Sequence, residues 1–373
     1  MSFWSLSQSS QSSLIALLVV FIVLAFPNVA EARLDQSPGS RFTSAQVAAQ
    51  GDAALGLPDD VISGLFYNPA ILGKIKKSRL ELVNYSLSPS DTLISHAKEN
   101  AGKILSLDSA KSLLTSYPKQ NFGFSGRYAL SYGGPSFSVG LLMQGEFTAQ
   151  ALSDGSIFHR SLYQFIPTVG FGRSFLNGWV RVGYSLQWVN QASGSEVASA
   201  SSSLSYSSGL TQGAGFSHNM GVALTLPTPY FPQLDLVARN ITGTRYSSST
   251  FVSFVNQPIG VSPFEPMTMD VAFSIHPTLG SLGVLHLSLA YRDFTHQASG
   301  GFNREQLAIG GEISIYQRFL LRGGLRGRYP SMGLGLRTRS AEFSLAYYTE
   351  NVGLSGLEMR GSQYILQYSL RVF

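Results

Sequence analysis

Residues 120–131 read QNFGFSGRYALS, and their alternation decides the fold. Phe122, Phe124, Gly126, Tyr128 and Leu130 share one face, while Gly123, Ser125, Arg127, Ala129 and Ser131 share the other. Period-two alternation is the signal of a strand. The pattern recurs along the chain. Val180, Val182, Tyr184, Leu186 and Trp188 oppose Arg181, Gly183, Ser185 and Gln187. Leu285, Leu287, Leu289 and Tyr291 oppose His286, Ser288, Ala290 and Arg292. The polar face carries Gly, Ser, Gln and Arg where a soluble sandwich would carry Lys and Glu. One apolar face, one polar or small face and aromatics near the ends of runs mark the wall of a membrane barrel. Lipid cannot satisfy an open sheet edge, so such a sheet must close.

Composition agrees. Charged residues are 13 % and aromatics 12 % of the 373 residues, with 38 Gly and no Cys. Low charge with many aromatics excludes disorder, which needs the opposite bias. Absence of cysteine excludes a disulfide framework and a thiolate metal site. The net charge of +5 comes from arginines spread through strands. A nucleic-acid surface needs them clustered, so no nucleic-acid partner is expected.

The alternation predicts an all-β, fourteen-stranded antiparallel transmembrane barrel. The strands fall at 78–88, 120–131, 136–149, 159–175, 179–191, 212–226, 233–241, 264–276, 283–294, 304–314, 318–328, 331–338, 340–349 and 361–373. Short connections at 132–135, 176–178, 315–317 and 339–340 read as periplasmic turns, and long ones at 89–119, 192–211, 242–263 and 350–360 as outer loops. Residues 91–117 carry helical spacing and are expected to pack over the barrel mouth, and the Ser-rich segment 193–211 reads as loop.

The N-terminus reads as export signal followed by plug. Leu14–Phe26 is an apolar run too short to span, and Ala30-Glu31-Ala32 supplies the small-x-small pattern of a signal-peptidase site. The expected division is signal peptide 1–32, plug 33–77 and outer-membrane barrel 78–373. Asp59 and Asp60 follow Pro58 as a turn and helix N-cap. In Asn68-Pro69-Ala70, Pro69 fixes φ and pushes Asn68 out of the helical region, freeing its side chain to bond across a turn. These five residues are read as structural parts of the plug.

Residues 51–82, GDAALGLPDDVISGLFYNPAILGKIKKSRLEL, resemble the N-terminal hatch of the outer-membrane long-chain fatty-acid transporter (FadL-like) superfamily. The Phe66-Tyr67 pair is nearer the branch that includes PorV. The resemblance implies fourteen strands, a Gram-negative outer-membrane location and passage of hydrophobic or amphipathic molecules.

No Gly-x-Ser-x-Gly, His-Glu-x-x-His or P-loop pattern occurs, and the six histidines are scattered. No enzyme, cofactor or metal is expected. Parity puts Arg318, Arg322, Arg326 and Arg328 on the lumen side of one strand, joined by Arg337 and Arg339, with Glu312 and Glu342 facing them. These could form an internal salt-bridge ladder or line a path for a carboxylate, which arginine's fork matches. The glutamates favour the ladder. Pro167 interrupts strand 159–175 and implies a bulge or a gap, since proline removes a ladder donor. The resemblance implies that such a kinked strand could open sideways into the membrane.

The chain ends at Phe373, a terminal aromatic of the kind read by the barrel-assembly machinery. The leading functional reading is passive uptake of small hydrophobic, fatty-acid-like molecules. The alternative is a non-transporting barrel that docks a secretion-system partner, and an outer-membrane hydrolase ranks third. Outer-membrane lipid surrounds the wall in every case.

Overall fold

The computed structural model describes residues 42–97, 107–116, 120–152, 154–199, 205–228, 230–298, 301–302, 304–351 and 360–372. The signal peptide expected over 1–32, the first residues of the segment 33–77 and Phe373 lie outside them.

Fourteen antiparallel strands close into one barrel, in which each strand pairs with its sequence neighbours and the last pairs with the first. They are β1 (Arg79–Pro89), β2 (Asn121–Gly133), β3 (Phe137–Ala151), β4 (Ile157–Phe175) and β5 (Val180–Ala198). β6 (Thr211–Thr225), β7 (Gln233–Arg239), β8 (Thr268–Ile275), β9 (Gly283–Tyr291) and β10 (Leu307–Ile315) follow. β11 (Phe319–Arg326), β12 (Tyr329–Arg337), β13 (Ala341–Asn351) and β14 (Arg360–Val372) complete the wall. The strand count and short turns agree with the sequence reading. The Ser-rich stretch does not: Ser193–Val197 continue β5, held by the ladder with β4, while the ladder with β6 ends at Ser193↔Thr211.

Side chains divide by parity. Leu307, Ile309 and Ile313 of β10, with Phe319, Leu321 and Leu325 of β11, are exposed on the outside. Ala308, Glu312, Leu320 and Arg322 from the same strands are buried inside. An apolar outer belt on a closed wall is what the hydrocarbon of an outer membrane requires.

The interior is filled by the N-terminal segment. It contains helix α1 (Ala45–Ala48), helix α2 (Val61–Phe66) and a 3-10 helix (Pro69–Lys74). Phe42, Val61, Ile62, Leu65, Phe66, Leu72 and Ile75 of this segment form one core with Ala129, Leu142, Ile166 and Val189 of the wall.

Two outer helices, α3 (Asp91–Ala97) and α4 (Leu107–Ser116), connect β1 to β2. They do not lie over the mouth. Leu93 and Leu114 cluster with Phe122, Phe147 and Ile157, whose parity is that of the lipid-facing Tyr128 and Met143. The helices therefore clad the outside of the wall where it rises above the apolar belt.

Candidate functional site in the lumen and wall

Asn68-Pro69-Ala70 anchors the segment. Asn68 Oδ1 accepts from Ala70 N at 3.0 Å, and its Nδ2 donates to Leu55 O at 3.0 Å and to Asp235 Oδ1 at 3.2 Å. The tripeptide lies on two glycines that face each other across the β5–β6 ladder, Gly183 and Gly221. A Cβ on Gly183 would collide with the Pro69 carbonyl, and one on Gly221 with Asn68 Oδ1 and Ala70 N. Backbone can approach a wall this closely only where the wall has no side chain. Asp60 caps α2, accepting from Ser63 N at 2.7 Å. Burial raises its carboxyl above the usual range, against the opposing pull of Arg371. Asp59 is exposed and stands 3.9 Å from Arg371 Nη1. Burial, then the charge of Arg181, bring the Lys74 ammonium down to about 8; it donates to Pro58 O at 3.2 Å and to Gly56 O.

Two charge networks tie this segment to the wall. In the first, Arg322 Nε meets Glu312 Oε2 at 2.6 Å and its Nη2 meets Glu342 Oε1 at 3.0 Å. Glu342 also accepts from Arg337 Nε at 2.8 Å and stands 3.6 Å from Arg371 Nη2. Gln46 of α1 reaches Glu312 Oε2 at 3.1 Å. Glu81 holds the start of α2 through Val61 N at 3.0 Å. Parity misplaced three arginines. Arg318, Arg328 and Arg339 lie in the tight turns beside β11 and β12 and are exposed, because the turns begin before the alternation ends. Arg326 points inward, 3.5 Å from Asp52.

The second network centres on Tyr67, which the sequence reading used only for the resemblance. Its hydroxyl donates to Asp52 Oδ1 at 3.1 Å. Burial, then the Asp52 charge, hold this phenol well above its ordinary value, so it stays a donor. Arg239 and Arg292 lie over its ring at 5.4 and 5.6 Å. Their Nη2 groups have no oxygen acceptor, and the ring face takes that place. Asp270 Oδ2 stands 3.0 Å from Arg239 Nε and 2.9 Å from Arg292 Nε, while Arg292 Nη1 meets Asp52 Oδ2 at 2.7 Å. Asp52, Tyr67 and Asp270 escaped the sequence reading. The available signal was an acidic residue on the inward face of a strand, which needs a partner to be buried.

Pro167 makes a gap and not a bulge. It pairs with Leu141 of β3, yet towards β5 the ladder stops at Phe165↔Asn190 and resumes at Thr168↔Gln187. Three residues advance on each strand between those pairs, so the register is unchanged. The missing proline N–H accounts for the lost bonds, and the Asn190 side chain reaches Phe165 O at 3.4 Å instead. The wall's true bulge is in β1, between Glu81 and Asn84. It turns Glu81 inward towards α2. The four residues the gap leaves unpaired are apolar. Ile166 and Val189 are buried inside, and Pro167 and Trp188 share the outer parity, where Phe165 and Trp188 pack with Phe251. The flanking Thr168, Gln187 and Asn190 are polar.

Among the described residues, no three His, Asp or Glu side chains are grouped to hold a metal.

No protein-family model matches the chain, and no curated protein matches it in sequence. Solved structures do resemble it. The Pseudomonas putida toluene transporter TodX aligns over 91 % of this chain and 99 % of its own, at 11 % identity and a TM-score of 0.53. The CymD monoaromatic hydrocarbon channel aligns over 89 % and 97 %, at 11 % identity and a TM-score of 0.51. A Pseudomonas aeruginosa FadL homologue aligns over 90 % and 99 %, at 12 % identity and a TM-score of 0.48. The first two likenesses are of fold: the chain shares the barrel architecture of those two structures.

Proposed function

We propose that this barrel lets small, neutral, hydrophobic molecules cross the outer membrane passively and leave sideways through the Pro167 gap. The gap itself carries the reading: a ladder interruption whose four unpaired residues, Ile166, Pro167, Trp188 and Val189, are apolar. An uncharged molecule crossing there loses no hydration it would need to recover. Arg322, Arg337, Arg239 and Arg292 are already engaged by Glu312, Glu342, Asp52 and Asp270. This favours a neutral ligand over a fatty acid. The hydrocarbon channels of the same fold add weight by analogy. Uptake of labelled toluene and a labelled fatty acid, in cells with and without the protein, tests the reading. Faster toluene entry with the protein is expected. Equal entry overturns it.

A second reading draws on the two charge networks, which fasten the N-terminal segment at Gln46 and at Asp52 and Tyr67. In it the barrel stays shut and docks a secretion partner. No ligand in a hydrophobic panel would then enter faster.

A further inference from the structure

The wall is not of even height. β7 ends at Arg239 and β8 begins at Thr268, whereas β6 starts at Thr211. The β6–β7 ladder stops at Met220↔Ala238, so the upper half of β6 has no strand on that side. An open edge is a liability in a membrane protein. The connection 240–267 covers it. Ser247 and Ala214 exchange both main-chain bonds, at 2.8 and 3.0 Å, and Gln212 N donates to Gly260 O at 2.9 Å.

The same connection then reaches both faces of the neighbouring gap. Inside, Tyr246 packs on the core that contains Ile166 and Val189. Outside, the Phe251 ring packs 6.1 Å from Phe165 and 5.3 Å from Trp188, and Phe251 N donates to Asn190 Oδ1 at 2.8 Å. One ring of this loop thus lies on the outer side of the gap and another on the core that its inner residues join. Phe251 is 64 % exposed, so the outer half of this grip buries little.

We propose that loop 240–267 is a clip that gates the Pro167 gap, with Tyr246 as its inner jaw and Phe251 as its outer one. A neutral aromatic molecule arriving from the lumen side takes the place of the Tyr246 ring on the core that contains Ile166 and Val189. The loop lifts from β6, and the gap is left without either jaw. The proposal rests on the uptake reading above for its ligand class, and on the loop geometry for the gate.

The lack of cysteine permits a clean test. Ala214 and Ser247 form a hydrogen-bonded antiparallel pair. Such pairs have Cα atoms about 5.5 Å apart, within the range a disulfide spans. The double variant A214C/S247C locks the clip when oxidised. Entry of N-phenyl-1-naphthylamine into cells is expected to slow at least about 5-fold on oxidation of the variant and recover on reduction, while wild type ignores both treatments. Equal entry by the oxidised and reduced variant overturns the gate. If wild-type cells take up the probe no faster than cells lacking the protein, the uptake reading falls instead. Amide hydrogen exchange on the purified protein then decides the gate alone. Exchange over 244–262 is expected to rise about 10-fold when naphthalene is added, with β4 and β5 unchanged. Unchanged protection over 244–262 overturns it.

Discussion

Asn68 and Asp235 stand 167 positions apart in sequence and meet at 3.2 Å, amide nitrogen to carboxylate oxygen, inside the barrel. The contact joins the turn that enters the first wall strand to the middle of β7. Its geometry depends on Pro69, which holds Asn68 extended at φ −141° and ψ 105°.

Removing the Asn68 side chain strips partners from Ala70 N, Leu55 O and Asp235 at once. A buried polar group left unpaired costs about 1–3 kcal/mol. Asn68→Ala is expected to lower the unfolding free energy of the detergent-folded protein, read from urea titration, by an amount in that range. Asn68→Asp, which keeps the acceptor for Ala70 N but sets a carboxyl oxygen against Asp235 and Leu55 O, is expected to lower it at least as much. A wild-type midpoint for Asn68→Ala would contradict this role.

The glycine notch gives a sharper contrast. Gly183→Val places a side chain where the Pro69 carbonyl lies, whereas a Cβ at Gly323 meets nothing within 4 Å. Gly183→Val is expected to dislodge the tripeptide and raise single-channel conductance in planar bilayers, while keeping the heat-modifiable gel shift of a closed barrel. Gly323→Val is expected to do neither.

Glu342 is the carboxylate on which Arg322, Arg337 and Arg371 converge. Breaking a buried pair by removing one partner costs about 3–5 kcal/mol. Glu342→Ala is expected to destabilise by that order in denaturant titration. Arg318→Ala, at an exposed turn, is expected to stay within about 0.5 kcal/mol of wild type.

Much of this was legible in the sequence, for a physical reason. A closed wall between lipid and a filled lumen forces strict alternation, so fourteen strands could be counted from parity. Parity fails where strands end, and there Arg318 and Arg328 were misassigned. It also cannot report which inward residues meet across the lumen. Tyr67 between Arg239 and Arg292 joins three distant segments, and no local pattern encodes that meeting. The Asn68-Pro69-Ala70 turn was readable because its conformation is set by its own residues.

Lys74 supplies a pH signature. Burial, reinforced by Arg181, sets its folded value at about 8, below the 10.5 of a free lysine. The folded state thus binds fewer protons between those values, and the proton favours the unfolded chain. Stability is expected to rise as pH climbs from about 8 towards 10.5, measured as the urea midpoint at each pH. Lys74→Met should flatten that rise. A slope shared equally by both proteins would assign it elsewhere.

Replacing Pro167 restores the missing donor. Pro167→Val is expected to complete the β4–β5 ladder and slow toluene entry several-fold, with folding unharmed. Unchanged entry would move the exit away from this seam.

The N-terminal segment also dictates an order of events. Ala45 N donates to Gln367 of β14 at 2.6 Å, Asn68 bonds Asp235 of β7, and Arg292 after β9 binds Asp52. A segment gripped from so many directions cannot be threaded through a finished ring. It is expected to be in position while the sheet is still open, with the β1–β14 seam shutting around it. The segment is therefore also the mandrel on which the barrel is wound, and damage to its contacts should appear first as slow or failed insertion.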